Sequence, residues 1–282
     1  MKVLVVYNPV AGSKKLGDTE RIIRKVLKKK GYEFDFFTTI QADKQPLEQF
    51  IGKKYDKIIV SGGDGTVAEV TTFMIVNKIK IPLIIIPQGS GNILALSLNI
   101  PLMPGQALLR GLKKEGKALD AMKINERYGI IATGCGYDTL VMQKTSRKLK
   151  RKWGIIAYLW TILKTILIYR SRYYKLYIDG KRETVLAKAI MTFNLIPLGH
   201  LKINKSLIGD QIIGNDGILN LFVLNPHPIR HLFRLRKGIR NFQGKKISIK
   251  TKKETRFQID GNVFRGKSVN IEVVPKAIHI VY

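Results

Sequence analysis

The sequence predicts an α/β fold: an N-terminal three-layer α/β domain with a parallel sheet, followed by a C-terminal antiparallel β-sandwich domain. Over roughly the first 120 residues, apolar runs alternate with helical patterns, as in a parallel sheet covered by helices. Small-residue loops follow the apolar runs, where open α/β sheets bind ligands. After Leu119, short strands with hairpin-like turns such as Asp179-Gly180 and Asp260-Gly261 indicate an antiparallel sandwich or barrel.

We place the domain boundary near residues 117–122. The domains are then residues 1–120 and 121–275, with the chain end at 276–282 able to pack back on the first domain.

The first domain should contain four strands separated by helices. The expected strands are residues 2–7, 33–38, 57–61 and 81–86, and the last of these is apolar throughout, as expected of a parallel strand covered on both faces. Thr19 can cap a helix that stops at Gly31. Residues 46–54 should form a short helix and residues 67–76 a longer one, with another helical stretch after residue 92.

The stretch KIIVSGGDGTV, residues 57–67, organises this domain. Its glycines let the backbone approach a ligand with no Cβ in the way. Free N–H groups at a junction between strand and helix favour an anion such as phosphate. Asp64 would repel a phosphate unless a cation or a hydroxyl donor stands between them, so the loop favours a metal-assisted nucleotide site. A tight turn with an Asx hydrogen bond is the structural alternative.

The second half should consist of short strands with one helical segment, residues 149–169. The strands are expected near residues 120–125, 128–134, 175–181, 185–194, 217–224, 245–251, 255–262 and 268–274.

Composition restricts the class of protein. The net charge is +30, of which residues 1–120 carry +8 and residues 121–282 carry +22. Such a field attracts nucleic acid, anionic lipid surfaces or phosphorylated substrates. Cys135 is the only cysteine, so a reducing cytosol is the default. No signal peptide is apparent, and the apolar stretch 153–169 is interrupted by Lys164 and too short for a comfortable membrane span. We therefore expect a cytoplasmic protein.

Several motifs, taken in order, carry a resemblance. They are YNPVAGSK, GGDGT with Glu69 after it, PQGSGN, ALDAMKIN, ATGCGYD, IIGNDGILNLFVL and FQIDGNVFRGKSVNIEVVPKAIHIVY. Together they resemble the diacylglycerol-kinase-type lipid kinases, most closely the bacterial soluble ones. That superfamily includes sphingosine and ceramide kinases and is distantly related to the NAD kinases. GGDGT alone would not separate these groups, whereas the ordered set with late Asp-Gly motifs is more specific.

The resemblance implies an ATP site formed mainly by the first domain. The implied ATP-binding residues are Asn8, Pro9, Gly12, Thr38, Gly62, Gly63, Asp64, Gly65, Thr66, Glu69, Ser90, Asn92 and Asn262.

In the second domain the resemblance implies a Mg²⁺ ligand and a general base. Asp216 would bind Mg²⁺ with backbone oxygens near Ile213 and Ile218, and a carboxylate with carbonyls and water suits a hard cation. Asp260 would be the base, because a lipid hydroxyl has a very high pKa and must lose its proton as it attacks the γ-phosphoryl group. A network of Asp64, Asp120 and Asp216 around water and metal is expected to link the domains.

Two positions depart from the family pattern. Ile93 stands where the family has an acid after Asn92, and Asn262 stands where it often has a glutamate, although the Asn262 amide can still hydrogen-bond a phosphate or water. Without the resemblance, Asp260 and Asp216 would be interpreted as hairpin-turn residues. Asp120 would be interpreted as a capping or salt-bridge residue.

The basic second half has three interpretations. Between Leu140 and Arg182 the sequence has twelve basic residues and a single acidic one, Asp179. Apolar residues from Trp153 to Leu167 can share one side of a helix. This pattern is typical of a helix lying on an anionic bilayer, and residues 230–253 add a second basic cluster. The helix could instead pack on the sandwich with a solvated basic rim. No nucleic-acid-binding signature accompanies the charge, so no nucleic-acid partner is expected.

The leading hypothesis is a lipid kinase that uses ATP and Mg²⁺, has diacylglycerol as its default substrate, and associates peripherally with an anionic membrane surface. A kinase of another lipid alcohol or of a NAD-like small molecule is the first alternative. The second is a nucleotide- or lipid-binding relative that has lost catalysis through Ile93 and Asn262. The oligomeric state is open, and a homodimer is compatible with the sequence.

Overall fold

A computed structural model describes residues 1–11, 17–39, 47–50, 52–136, 171–195, 214–225 and 238–282. The chain divides into two compact units, Met1–Leu119 with Lys276–Tyr282, and Asp120–Pro275. The predicted helix at residues 149–169, together with Gly12 and Ile213, lies outside the described residues. Among the helices that are described, none has the length and apolarity needed to cross a membrane.

The first unit is built on a parallel sheet. Its elements are β1 (Lys2–Tyr7), α1 (Gly17–Lys29), β2 (Glu33–Thr38), a 3-10 helix (Leu47–Phe50), β3 (Lys57–Gly62), α2 (Asp64–Val76), β4 (Leu83–Pro87), α3 (Ile93–Ser97) and α4 (Pro104–Lys113). The strands lie in the order β4-β3-β1-β2, and every pair is parallel. Ile280 and Val281, near the end of the chain, pair in parallel with Leu83 and Ile84 of β4.

Helices pack on this sheet through alternating strand residues. Ile23 and Leu27 of α1 and Leu108 of α4 form one cluster with strand residues such as Val5 and Ile59. The intervening strand residues point to the opposite face. They are buried as well, and α2 contacts β3. The predicted parallel α/β fold is confirmed.

Three predicted helix boundaries are wrong. Helix α1 begins at Gly17, so Thr19 is a buried residue inside the helix and not its cap. Within residues 46–54 the described helical part is the 3-10 helix Leu47–Phe50, and Gly52 with φ of +83° is incompatible with a helix beyond it. Helix α2 begins at Asp64 and not at residue 67, because Gly63 is extended and serves as the N-cap.

The second unit consists of antiparallel strands. They are β5 (Lys117–Ile124), which begins in the first unit, β6 (Arg127–Gly129), β7 (Ala132–Gly136), β8 (Arg172–Ile178), β9 (Lys181–Ala187), β10 (Ala189–Phe193), β11 (Leu219–Leu224), β12 (Ile239–Gly244), β13 (Lys246–Ile259) and β14 (Asn262–Val281), whose end belongs to the first unit. The antiparallel prediction is confirmed. However, β12 was not predicted, and the single strands predicted at residues 128–134 and 185–194 are each replaced by two strands, β6 with β7 and β9 with β10.

Strand β13 holds this unit together. Two strands were predicted here, whereas the structure has a single strand of 14 residues. A register shift between Lys250 and Thr255 interrupts the pairing of β13 with β14, but the strand continues through it. The first part of β13 pairs with β8 and the last part with β7. Phe257 and Tyr174 are fully buried in the core between these strands.

We predict opposite effects of two glycine substitutions in α4. In Gly111→Ala the new Cβ would lie 2.4 Å from Cγ2 of Ile84, and overpacking of this kind costs about 1–3 kcal/mol. Gly105→Ala, whose nearest neighbour would be Ile22 at 3.9 Å, should instead stabilise by up to about 1 kcal/mol through helix propensity. Urea denaturation of both variants measures the difference. Equal changes in the free energy of unfolding would contradict the packing of α4 on β4.

Candidate functional site

The glycine loop and the loop after β4 pack backbone against backbone. A Cβ on Gly62 would lie 2.6 Å from Cβ of Thr66, and one on Gly89 would lie 2.8 Å from Cα of Gly63. These glycines are therefore required by the protein's own packing. Gly65 differs from them, because it is exposed and no atom lies within 4 Å of its ideal Cβ position. A ligand approaching this loop has open space at Gly65.

Asn92 closes the loop after β4. Its Oδ1 accepts the N–H of Gly89 at 2.7 Å, its Nδ2 donates to the carbonyl of Gly89 at 2.7 Å, and its φ is +49°. The N–H of Gln88 donates to the carbonyl of Gly62 at 2.8 Å, which ties this loop to the glycine loop. Ser90 is exposed at the tip.

Asp64 connects the two loops through the start of α3. Its Oδ1 accepts the N–H of Ile93 at 2.7 Å. Burial raises the pKa of the Asp64 carboxyl, and hydrogen bonds from the N–H groups of Ile93, Asn92 and Leu94 act in the opposite direction. Position 93 lacks the acid expected from the resemblance. Ile93 nevertheless contacts Asp64, because its backbone N–H donates to the Asp64 carboxylate.

Asn8 brings the end of β1 into the same cluster. Its Nδ2 donates to Oγ1 of Thr66 at 2.7 Å, and its own Oδ1 accepts the N–H of Val10 at 3.1 Å. Pro9 follows directly and is half-buried, and Thr38 ends β2 beside Tyr7.

Gln88 and Ser61 also lie at these loops, whereas the predicted residue Glu69 makes none of the contacts described above. Nε2 of Gln88 donates to Oγ of Ser61, and both side chains are buried. Neither was identified from sequence, although the PQGSGN motif marked the position of Gln88. Glu69 is exposed on α2.

In the second unit, the Asp260 carboxylate is anchored by backbone amides. Asp260 and Gly261 form the turn between β13 and β14, with φ of +45° and +96°. Oδ2 of Asp260 accepts the N–H of Ile130 at 2.7 Å, and Oδ1 accepts those of Ile131 at 3.0 Å and Ala132 at 2.8 Å. The side chain is thus fixed by three N–H donors on one segment. Asn262, the next strand residue, is exposed.

The same arrangement occurs at a second Asp-Gly turn of this unit, Asp179-Gly180. Asp179 has φ of +47°, and its carboxylate accepts the N–H groups of Lys245 at 3.0 Å and Lys246 at 2.8 Å. The N–H of Asp179 donates to the carbonyl of Lys246 at 2.9 Å, as that of Asp260 does to Ala132 at 2.9 Å. Amide anchoring is therefore a structural device in this unit and does not alone identify a base.

Asp120 makes hydrogen bonds on both sides of Asp216, to Gly214 and to Gly217. Asp120 is 1% exposed; its N–H donates to the carbonyl of Gly214 at 2.6 Å, and its Oδ2 accepts the N–H of Gly217 at 2.7 Å. The Asp216 side chain is exposed, and its Oδ1 accepts the N–H of Ile218 at 3.0 Å.

The donor set at this turn fits a hydrated hard cation. Within the described ranges, no group of three or more His, Cys, Asp or Glu side chains could hold a metal ion. The exposed carboxylate of Asp216 can nevertheless bind Mg²⁺, since Mg²⁺ is often held by one or two carboxylates and keeps several waters. The contact of Asp120 with this turn lies within the second unit, whereas the predicted link to Asp64 of the first unit stays a prediction.

Known proteins are similar to this chain over most of its length, in sequence and in structure. The chain is 28% identical to proteins named "Putative lipid kinase" from Staphylococcus aureus strains bovine RF122 / ET3-1 and Newman, in an alignment of 240 residues that covers 81% of this chain and 77% of each relative. The crystal structure of a "putative diacylglycerol kinase" from Bacillus anthracis str. Sterne has a TM-score of 0.82 and 27% identity, covering 100% of this chain and 96% of that one.

The family profiles divide the chain into two matches. Residues 2–124 match the diacylglycerol kinase catalytic domain, and residues 130–282 match the YegS C-terminal NAD kinase beta sandwich-like domain. Since the second match takes in more than half of the chain, the protein belongs to the family that carries the YegS C-terminal NAD kinase beta sandwich-like domain, here preceded by a diacylglycerol kinase catalytic domain.

Proposed function

We propose that this protein is a lipid kinase that transfers the γ-phosphoryl group of ATP to a lipid hydroxyl, with diacylglycerol as the substrate. The observation that carries the proposal is the open position at Gly65, in the first turn of α2, in a chain of this family. The names of the relatives support a lipid as the phosphoryl acceptor.

The first unit supplies the nucleotide site. Gly63, the N-cap of α2, has no side chain that could cap the helix, so the N–H groups of Gly65 and Thr66 in its first turn can receive phosphate oxygens. The carboxylate of Asp64 would repel a phosphate unless a cation or a hydroxyl donor stands between them, and its Oδ1 accepts the N–H of Ile93, which orients the carboxylate toward the start of α3. Asp64 then acts by holding the two loops together. Thr66 is oriented by Asn8 in the same way.

The second unit supplies the group that activates the acceptor. Asp260 accepts the proton of the lipid hydroxyl, and its amide anchors fix the carboxylate in one orientation, as a general base requires. Asp216 and the carbonyl oxygens of its turn would hold Mg²⁺. When bound, the ion supplies positive charge that offsets the charge of the phosphates.

The reaction is tested by ³²P transfer from ATP-Mg²⁺ to mixed micelles that carry diacylglycerol, a sphingoid base or a ceramide, with NAD as a soluble acceptor. Transfer to diacylglycerol above the other acceptors is expected. Preferential transfer to another acceptor would overturn the assignment of substrate. Measurable ATP binding without transfer to any acceptor would identify a binding protein and overturn the proposed activity.

Asp260→Asn and Asp179→Asn should separate catalysis from anchoring. Both substitutions disturb the same type of amide-anchored turn, so both should lower the thermal midpoint similarly. Only Asp260→Asn should reduce kcat, by about 100-fold or more, because a general base contributes roughly 10²–10⁴-fold. The ³²P assay and thermal unfolding measure the two effects. If both variants lose activity only in proportion to their stability, Asp260 is a turn residue and not the base.

Gly65→Ala should impair nucleotide binding without harming the fold. Its Cβ would enter open space at a helical position, so we expect an unchanged or slightly raised thermal midpoint. The methyl group would obstruct phosphates at the first turn of α2 and raise the KM for ATP about tenfold. Gly105→Ala, a glycine substitution in α4 of the same unit, is the control and should leave this KM unchanged. A normal KM in Gly65→Ala would contradict the placement of the phosphates.

We propose that one outer sheet face of the second unit binds the anionic membrane that holds the substrate. Lys175 and Lys250 are exposed cross-strand partners, about 5 Å apart at Cβ, and the ammonium group of Lys250 lies over the ring of Tyr177 on the same face. Arg182 lies on the same face. Tyr173, 70% exposed, and its partner Leu186, 38% exposed, add apolar surface beside the lysines. Adjacent like charges next to exposed apolar groups suit an anionic bilayer surface.

Reversing these charges should weaken vesicle binding. The double variant Lys175→Glu/Lys250→Glu should lose binding to vesicles containing phosphatidylglycerol by roughly tenfold to 100-fold, at about 1 kcal/mol per lysine. The control Lys25→Glu/Lys28→Glu changes the net charge equally on exposed residues of α1 and should bind almost normally. Flotation at several salt concentrations measures both, since surface charge effects are screened by salt. Equal losses in the two variants would show that only total charge matters.

A further inference from the structure

Asn194 connects Asp120 to the segment of residues 130–132 that binds Asp260, and it was not identified from sequence. Its side chain is fully buried, directly after β10. Nδ2 donates to the carbonyl of Asp120 at 2.9 Å and to the carbonyl of Ile130 at 2.8 Å. An amide NH₂ group has two hydrogens, so both are used.

The Ile130 side of this contact leads directly to Asp260. The Ile130 carbonyl belongs to the same peptide group as the Ile131 N–H, which donates to Oδ1 of Asp260. The Ile131 carbonyl accepts the backbone N–H of Asn194 at 3.0 Å, and it shares a peptide group with the Ala132 N–H, the other donor to Oδ1. Asn194 thus holds both peptide groups that orient Oδ1 of Asp260.

The Asp120 side leads to the turn of Asp216. Asp120 binds the turn at two points, through the carbonyl of Gly214 and the N–H of Gly217. Gly214 packs closely on Asn194 as well, because its Cβ position would lie 2.8 Å from the carbonyl oxygen of Asn194. The chain of contacts therefore runs from the turn through Asp120 and Asn194 to the segment that anchors Asp260. Such buried hydrogen bonds polarise and rigidify one another.

We propose that Asn194 is a positioning residue that couples the Asp216 turn to the orientation of the Asp260 carboxylate. This inference rests on the proposed function for the role of Asp260, although the coupling is a property of the fold. An ion bound at the turn then restrains the amides of residues 130–132, and release of the turn loosens them. Asn194 is fully buried in the second unit, so its loss should affect turnover and not nucleotide binding.

The test is hydrogen exchange at residues 128–134 and at Gly217, with and without Mg²⁺, without nucleotide or lipid. In the wild-type protein Mg²⁺ should slow exchange at both places. In Asn194→Leu, which keeps the branched shape of the side chain and removes the donor, exchange at residues 130–132 should be about tenfold faster and insensitive to Mg²⁺, while Gly217 still responds. Thr192→Val is the matched control: Thr192 is equally buried in β10 and its hydroxyl has no partner among the described residues, so both responses should persist.

Three results would overturn the coupling. They are an absence of any Mg²⁺ response at residues 130–132 in the wild-type protein, an unchanged response in Asn194→Leu, and a loss of the response in Thr192→Val. An absent Mg²⁺ response in the wild-type protein overturns the proposal even if Asn194→Leu does not fold.

Kinetics provide a separate check. In the kinase assay Asn194→Leu should lower kcat about tenfold with an unchanged KM for ATP, and an unchanged kcat would contradict a positioning role. If the wild-type protein phosphorylates no lipid but shows the coupled exchange, the proposed function fails and the coupling stands. If it phosphorylates diacylglycerol without coupled exchange, the coupling fails and the function stands.

Discussion

Hydrogen bonds from backbone N–H groups to aspartate carboxylates are the interaction on which the candidate site residues of both units depend. Asp64 binds the start of α3, Asp120 binds the turn at Gly217, and Asp260 binds the segment from Ile130 to Ala132. In each case a loop far away in sequence is held by one side chain. A buried donor left without its acceptor costs about 1–3 kcal/mol, so each carboxylate strongly favours a single loop conformation. The acids that we propose to take part in the site therefore also hold the loops of both units in place.

This arrangement gives different meanings to glycines that look alike in the sequence. Gly62, Gly63 and Gly89 are small because another part of the protein lies against them, and only Gly65 of the glycine loop faces open space. A motif such as GGDGT therefore combines packing requirements with ligand access in adjacent residues. The same is true of the Asp-Gly turns, where Asp179 and Asp260 share a geometry but only one is proposed to act in chemistry.

The sequence was sufficient to predict the parallel sheet, the antiparallel second half and the loops at the strand ends, because hydrophobic periodicity and glycine placement are local signals. The motifs also located most of the polar residues that the structure brings together within each unit. Asn194, Gln88 and Ser61 were not predicted, since a buried amide or hydroxyl between apolar residues has no distinctive local pattern. The direction of the Asp64 carboxylate toward Ile93 could not be predicted either, because it depends on a contact between residues 29 positions apart. Strand β13 was divided in two because its charged middle resembles a loop, whereas the structure absorbs that stretch as an irregularity in one long strand.

The pairing of Ile280 and Val281 with β4 has a consequence for how the protein is made. A ribosome produces residues 1–119 long before residues 276–282, so the first unit emerges with one edge of its sheet unpaired. Leu83 and Ile84 at that edge are fully buried in the folded chain and would be open to other strands in the meantime. Translation speed and chaperone access during synthesis of the second unit should therefore influence the yield of folded protein, and expressing residues 1–119 alone should produce aggregates.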